Sequence, residues 1–211
     1  MCSSFPQSVR DRFQAWLVNE MDTAMHRAFG QRKRKLFADH PAEMVELGPG
    51  AGANFRYYRP DTRILAIEPN TKMHARLRQR AARYQLKLEI ISQGAESLPL
   101  PDSSQDFVIG TLVLCSVKDP SRVLAEARRI LRTGGRYVFL EHVAAKYFSC
   151  VAIEQRILRR PWRALFAGCR VDQDTLPLIE ATSFDAVAYD EFSVGLNLLP
   201  FSPHISGTAI K

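Results

Sequence analysis

The sequence predicts an α/β protein: a mostly parallel sheet with helices on both faces. Three observations carry this reading. Short apolar runs alternate with amphipathic stretches, the first run opens directly into a glycine-rich turn, and one amphipathic stretch carries a clear helix-start signal. The apolar runs place strands at Met44–Leu47, Ile64–Ile67, Leu86–Ile91, Phe107–Leu114 and Tyr137–Leu140, with a terminal pair at Ala186–Glu191 and Ile205–Ile210. That pair is separated by Phe192–Pro203, which holds Gly195 and two prolines and has no helical period, so it reads as a hairpin-like loop.

Helices fill the gaps. Asn70–Tyr84 is amphipathic. Asp119-Pro120-Ser121 supplies an N-cap with proline at the first helical position ahead of Val123–Leu131, which is expected to end at Gly134-Gly135. Phe5–Phe29 shows helical spacing in Phe5, Val9, Phe13, Trp16, Leu17 and Met21, as a core-facing stripe or as a lid over a ligand. The organisation is therefore an N-terminal helical cap over 1–40 and one α/β domain over 41–211.

Composition limits the rest. A chain of 211 residues that is 46% apolar and 24% charged has the makings of one full core, and excludes a fibre, a disulfide scaffold or a disordered tail. Cys2, Cys115, Cys150 and Cys169 form no CxxC pair, which points to a reduced, cytoplasmic protein and to no metal. No transmembrane segment is expected: Arg10, Asp11 and Arg12 interrupt the N-terminal stretch, and Asn197, Pro200, Pro203 and His204 break the long uncharged one. The net charge of +7 comes largely from arginines spread along helices, which reads as solvated faces rather than as a specific nucleic-acid partner.

Chemistry concentrates after the first strand, at Glu46-Leu47-Gly48-Pro49-Gly50-Ala51-Gly52-Ala53. Glycines here let backbone amides approach a ligand that side chains would block. The run satisfies G-x-G-x-x-A, and Glu68 ends the second strand where a ribose-binding carboxylate belongs, so a nucleotide-like ligand is expected. Glu46 would repel a pyrophosphate but suits a sulfonium, which favours S-adenosylmethionine over a dinucleotide. No tyrosine has lysine four residues on, and no Gly-Lys-Ser/Thr follows the glycines, which removes short-chain dehydrogenases and P-loop proteins.

With Glu68-Pro69-Asn70, Ala95-Glu96-Ser97-Leu98-Pro99, Asp106-Phe107-Val108 and Leu131-Arg132-Thr133-Gly134-Gly135 in the same order, the chain resembles the class I S-adenosylmethionine-dependent methyltransferases over roughly 42–211. The resemblance implies their Rossmann-like fold, a seven-stranded sheet with an antiparallel last strand, and S-adenosylmethionine as methyl donor. It also implies that Gly48, Pro49, Gly50 and Gly52 line methionine and ribose, and that Glu68, followed by Pro69 and Asn70, takes the ribose hydroxyls. Gly94, Ala95 and Glu96 would border adenine, and Thr111 and Leu112 would complete the cofactor set. Many relatives have Asp where this chain has Gly94, leaving a backbone carbonyl or Glu96 to meet the adenine amine.

A closer resemblance is to the methyltransferase-like alkyl thiol methyltransferases. It rests on Thr111–Val117 with Cys115, on Glu141-His142-Val143, on Gly168-Cys169 and on Pro203-His204-Ile205. It implies a small-molecule thiol acceptor. Those relatives carry a hydrophobic N-terminal anchor, and no such run is present in this sequence. The acceptor should approach at the carboxyl ends of strands four and five. His142 stands there as either a general base or a structural hydrogen-bonder, while the apolar surroundings of Cys115 argue for packing. Ala144–Arg170, with Tyr147, Phe148, Trp162 and Phe166 among arginines, is the expected acceptor pocket and lid, and its arginines offer a weak peripheral membrane contact. The main rival is an O- or C-methyltransferase on a quinone-like or lipid acceptor. A nucleic-acid methyltransferase lacks support because Gly110-Thr111-Leu112-Val113 replaces an Asn/Asp-Pro-Pro-aromatic motif, and a non-catalytic binding module would not need the intact glycine loop and Glu68.

Overall fold

The computed structural model describes residues 22–145, 149–166, 168–195 and 200–211. Most of the expected Phe5–Phe29 helix lies outside these residues, as do Tyr147, Phe148 and the middle of the last loop. The described chain begins with α1 (Asp22–Leu36) and β1 (Glu43–Leu47), followed after a short 3-10 turn by β2 (Arg63–Ile67), α2 (Thr71–Arg83) and β3 (Lys87–Ile91). It continues through β4 (Gln105–Thr111), α3 (Pro120–Ile130), β5 (Leu131–His142), α4 (Cys150–Leu165), α5 (Leu176–Glu180), β6 (Ala186–Ser193) and β7 (Pro203–Ile210).

The seven strands form one sheet in the order β3-β2-β1-β4-β5-β7-β6. Pairs among β1 to β5 are parallel, and β7 runs antiparallel to both β5 and β6. The order reverses between β1 and β4, so the crevice outside their carboxyl ends is the topological switch point where α/β sheets bind ligands.

Alternation along the strands makes two cores. Val45 and Leu47 of β1, Val108 of β4, and Tyr137 and Phe139 of β5 pack under α3 through Val123, Leu124 and Ala127. The intervening Met44, Ile64, Phe107, Ile109 and Val138 meet Leu77 and Ala81 of α2 together with Phe37, Phe55 and Tyr58. Each fully buried side chain of this size contributes about 1.5–3 kcal/mol, so the sheet is held from both faces.

Several boundaries differ from the sequence reading: β5 runs over Leu131–His142, β6 extends to Ser193 and β7 begins at Pro203. β4 stops at Thr111 because Leu112 adopts a positive φ of 55°, turning the chain away from the sheet three residues before the apolar run ends. The helix before Gly134-Gly135 ends earlier, at Ile130, with Leu131 already extended and pairing with Gln105; the glycines lie inside β5. The helix-start signal holds, since Asp119 accepts from the Arg122 amide at 3.0 Å.

A buried polar chain couples α1 to the middle of the sheet. Glu46, wholly buried on β1, accepts from Asn54 Nδ2 at 2.7 Å and from the Tyr58 hydroxyl at 3.0 Å. Lys33 Nζ donates to Asn54 Oδ1 at 2.7 Å. At the start of α1, Asp22 pairs with Arg56 and with Arg80. Burial pushes the Glu46 carboxyl up to about 7 and the Lys33 ammonium down to about 8. A carboxyl with a raised folded pKa contributes stability that is present below its unfolded value near 4.5 and is lost as pH rises through about 7. The Lys33 shift acts only above about 8. Chemical denaturation at several pH values should therefore show Glu46→Gln gaining on the parent protein between roughly pH 4.5 and 7, by on the order of 1–3 kcal/mol; a constant difference across that window would contradict the assignment.

Candidate active site

The glycine turn leaves β1 at the switch point. Gly48 has φ 58°, and an added Cβ would stand 2.7 Å from Val113 Cγ2, so only glycine lets the turn pass against the β4 loop. Gly50 follows with φ 57°, and its amide donates to Glu68 Oε2 at 2.9 Å. The other Glu68 oxygen accepts from the Asn70 amide at 2.8 Å. Asn70 caps α2 by accepting from the Lys72 amide, with Pro69 between carboxylate and cap. Glu68 is thus held by backbone on both oxygens, 6% exposed, with its pKa raised by burial. Glu68 thereby joins Gly50 of the glycine turn to Asn70, with Gly48, Pro49 and Pro69 adjacent in the chain.

Glu46 precedes this turn on β1. Its carboxylate is fully buried, and each oxygen takes a side-chain donor, so it does not face the crevice as a bare negative charge. Thr111 joins the same network by accepting from Asn54 Nδ2 at 2.9 Å. Leu112 takes its left-handed conformation beside it, a strained geometry that collects at functional sites.

After β3 comes Gly94-Ala95-Glu96. Glu96 Oε1 accepts from the Lys118 amide at 3.0 Å, while Oε2 lies 2.5 Å from where a Cβ on Gly94 would project. The carboxylate of Glu96 therefore fills the space that a side chain at 94 would take. This explains the departure at 94, since Asp there would set two carboxylates against each other.

His142, at the carboxyl end of β5, is 5% exposed and does not stand free. Its Nε2 lies 3.0 Å from Cys169 Sγ, and the Trp162 indole donates to the same sulfur at 3.3 Å. Cys115 packs beside them: Cys115, His142 and Cys169 bring their ligating atoms within 4.8 Å of one another. A hydrogen bond from Cys115, then His142 and Trp162, pulls the Cys169 thiol down to about 5, and the Cys115 thiol is pushed up by Cys169 and by burial. Next to His142, the wholly buried Glu141 accepts from the Val113 and Leu114 amides at 3.0 and 3.2 Å, fixing the turn after β4. Burial lifts its carboxyl to about 8.

Several contributors escape a residue-by-residue reading. Lys33 and Asn54 are ordinary polar residues in the sequence, and only their burial against Glu46 marks them. Glu141 and Cys169 did carry a signal, because both fall in the segments on which the thiol methyltransferase resemblance rests. At His142 the structure sets one ring nitrogen, Nε2, beside an internal partner, Cys169 Sγ.

Comparison with known proteins follows this geometry. A family model described as a methyltransferase domain matches residues 45–139. The chain is 34% identical over 195 residues to human thiol S-methyltransferase TMT1B, covering 91% of this chain and 80% of that protein. Human thiol S-methyltransferase TMT1A is also 34% identical, covering 85% of this chain and 78% of its own length. Among solved structures, an S-adenosylmethionine-dependent methyltransferase from Thermotoga maritima, titled a possible histamine N-methyltransferase, superposes with a TM-score of 0.67 at 23% identity, covering 94% of this chain and 99% of that one. The [4+2]-cyclase SpnF gives the same TM-score at 17% identity, over 86% of this chain and 80% of its own, so that likeness speaks for fold alone. The sheet order, the glycine turn tied to Glu68 and relatives similar over most of their length have one common meaning: the chain belongs to the class I S-adenosylmethionine-dependent methyltransferases, in the family that includes the thiol S-methyltransferases.

Proposed function

We propose that this methyltransferase acts on the sulfur of a small apolar thiol. The observation that carries the reading is the similarity to relatives named thiol S-methyltransferases across 91% of this chain. The residues present fit the methyl donor: a glycine turn that a Cβ would block, ending on a carboxylate oriented by two backbone amides. S-adenosylmethionine supplies a methyl carbon already activated by its sulfonium.

In this reading the protein aligns reactants and excludes water. Glu68, with lone pairs beyond its two amide bonds, takes the ribose hydroxyls. Glu96 meets the adenine side in place of an aspartate at 94. Glu46 braces the glycine turn from behind through Asn54 and Tyr58. His142 positions Cys169 rather than acting as a free base. A thiolate sulfur then attacks the methyl carbon in line, and the breaking carbon–sulfur bond leaves its electron pair on the departing thioether. A thiol near pKa 8.5 is already a few per cent ionised at neutral pH, so this chemistry asks less of a base than an alcohol would.

Among the described residues, no helix is long and apolar enough to cross a membrane. α4 nevertheless presents an uncovered apolar stripe in which Ile153, Ile157 and Leu165 are 58%, 69% and 50% exposed, with Pro161 completing the four-residue spacing. Arg156, Arg159, Arg160 and Arg163 flank it, while Val151 and Gln155 face inward. Apolar stripe and cationic flank together suit a weak peripheral contact with an anionic bilayer, from which an apolar acceptor is drawn.

Three outcomes are expected. Calorimetry should show S-adenosylhomocysteine binding weakened about ten- to a hundredfold by Glu68→Ala, the scale of a charge-assisted hydrogen bond of roughly 1.5–3 kcal/mol; unchanged affinity removes Glu68 from the site. In an acceptor screen with labelled donor across alkyl thiols, phenols and quinones, turnover should concentrate on apolar thiols, and a preference for phenols or quinones moves the assignment to the O- or C-methyltransferase rival. Sedimentation should carry the protein down with anionic but not zwitterionic vesicles, a difference that Ile157→Asp abolishes and high salt weakens; equal recovery with both lipids rejects the α4 contact.

A further inference from the structure

Segments far apart in the chain deliver three soft or borderline ligands to one buried point. Cys115 comes from the turn after β4, His142 from the end of β5 and Cys169 from the turn after α4; they are 2%, 5% and 7% exposed. A backbone bond ties the two turns together, the Arg170 amide donating to the Cys115 carbonyl at 2.9 Å, and the second turn is closed on itself by the Cys169 amide donating to the Phe166 carbonyl at 2.8 Å. We propose that Cys115, His142 and Cys169 form a three-ligand site for a zinc-class cation, whose fourth position takes the sulfur of the acceptor thiol.

Donor chemistry and geometry both favour this. Two thiolates and an imidazole are a zinc set, and three protein ligands leave one tetrahedral position for a substrate. Zinc bonds of about 2.0–2.3 Å place tetrahedral ligand atoms roughly 3.5 Å apart, and here all three lie within 4.8 Å, with His142 Nε2 and Cys169 Sγ at 3.0 Å. The Trp162 indole N–H directed at Cys169 Sγ is the kind of outer hydrogen bond that steadies a metal-bound thiolate.

The position suits the reaction. The cluster sits at the carboxyl ends of β4 and β5, on the same edge of the sheet as the glycine turn. Each cysteine releases its proton to solvent when it binds the cation. An acceptor thiol entering the fourth position does likewise, and its sulfur lone pair forms the new bond to the methyl carbon as the carbon–sulfonium bond breaks toward the donor sulfur. The three-ligand site stands on the geometry alone; the use of its fourth position rests on the thiol acceptor proposed above.

Cobalt(II) is the probe. The full-length protein, reduced and titrated anaerobically, should take up equimolar cobalt with a thiolate-to-cobalt charge-transfer band and the intense visible bands of a tetrahedral site. Cys115→Ser and Cys169→Ser should each weaken uptake roughly a hundredfold or more, whereas Cys150→Ser, an exposed cysteine outside the cluster, should leave it intact. Calorimetric S-adenosylhomocysteine binding identifies which variants are folded. Competition between the unaltered protein and a chromogenic chelator for zinc gives a second readout that needs no variant. Absence of the bands, or bands that survive both substitutions, overturns the metal site. Adding a small alkyl thiol to the cobalt form should strengthen the charge-transfer band; an unchanged spectrum while that thiol is methylated overturns the role of the fourth position. Failure to methylate any thiol, with the cobalt bands in place, overturns the acceptor reading instead and leaves the three-ligand site standing.

Discussion

Burial of one carboxylate organises this molecule. Glu46 stands near the end of β1, beside the point where the strand order reverses, with no exposure to water. A charge there costs several kcal/mol unless it is paired or bonded, and the protein meets the cost with Asn54, Tyr58 and, through Asn54, Lys33. Those partners come from α1 and from the segment after the glycine turn. The helix in front of the sheet and the turn above it are therefore fixed by the same demand. Thr111 of β4 is drawn in through the other bond from Asn54, so the two strands that flank the crevice share one polar core.

A second buried carboxylate acts in the same way beyond β4, near the end of β5. Glu141 holds the Val113 and Leu114 amides, which keeps the chain after β4 in its sharp turn with Leu112 left-handed. Val113 in turn packs where a side chain on Gly48 would be. Glycine turn and β4 turn are thus complementary surfaces, each shaped by an acidic residue beneath it. Cys115 reaches His142 and Cys169 because this turn is held so firmly.

Fold and reaction separate on this architecture. A cyclase shares the architecture at the same TM-score as a methyltransferase, so the sheet and the glycine turn speak for the ligand-binding crevice and not for the acceptor. At the carboxyl ends of β4 and β5, Cys115 and His142 meet Cys169, and Trp162 of α4 donates to the same sulfur.

The sequence by itself determined the layer architecture, because strand and helix periods are local properties: Met44 and Val45 alternate faces in any strand, and Asp119-Pro120 caps a helix wherever it occurs. It also determined the glycine turn and Glu68, since only glycine tolerates the backbone that Gly48 adopts. Strand ends were less legible. The apolar run at 107–114 continues past the end of β4, and what stops the strand is a carboxylate from β5, remote in the chain. The tertiary structure alone decided that Glu46 is buried against Asn54 and Tyr58, that Glu96 stands in the space left by Gly94, and that Cys115, His142 and Cys169 meet. Each of these depends on which residues a fold brings within a few ångströms of one another, a property of distance in space that spacing along a chain does not encode.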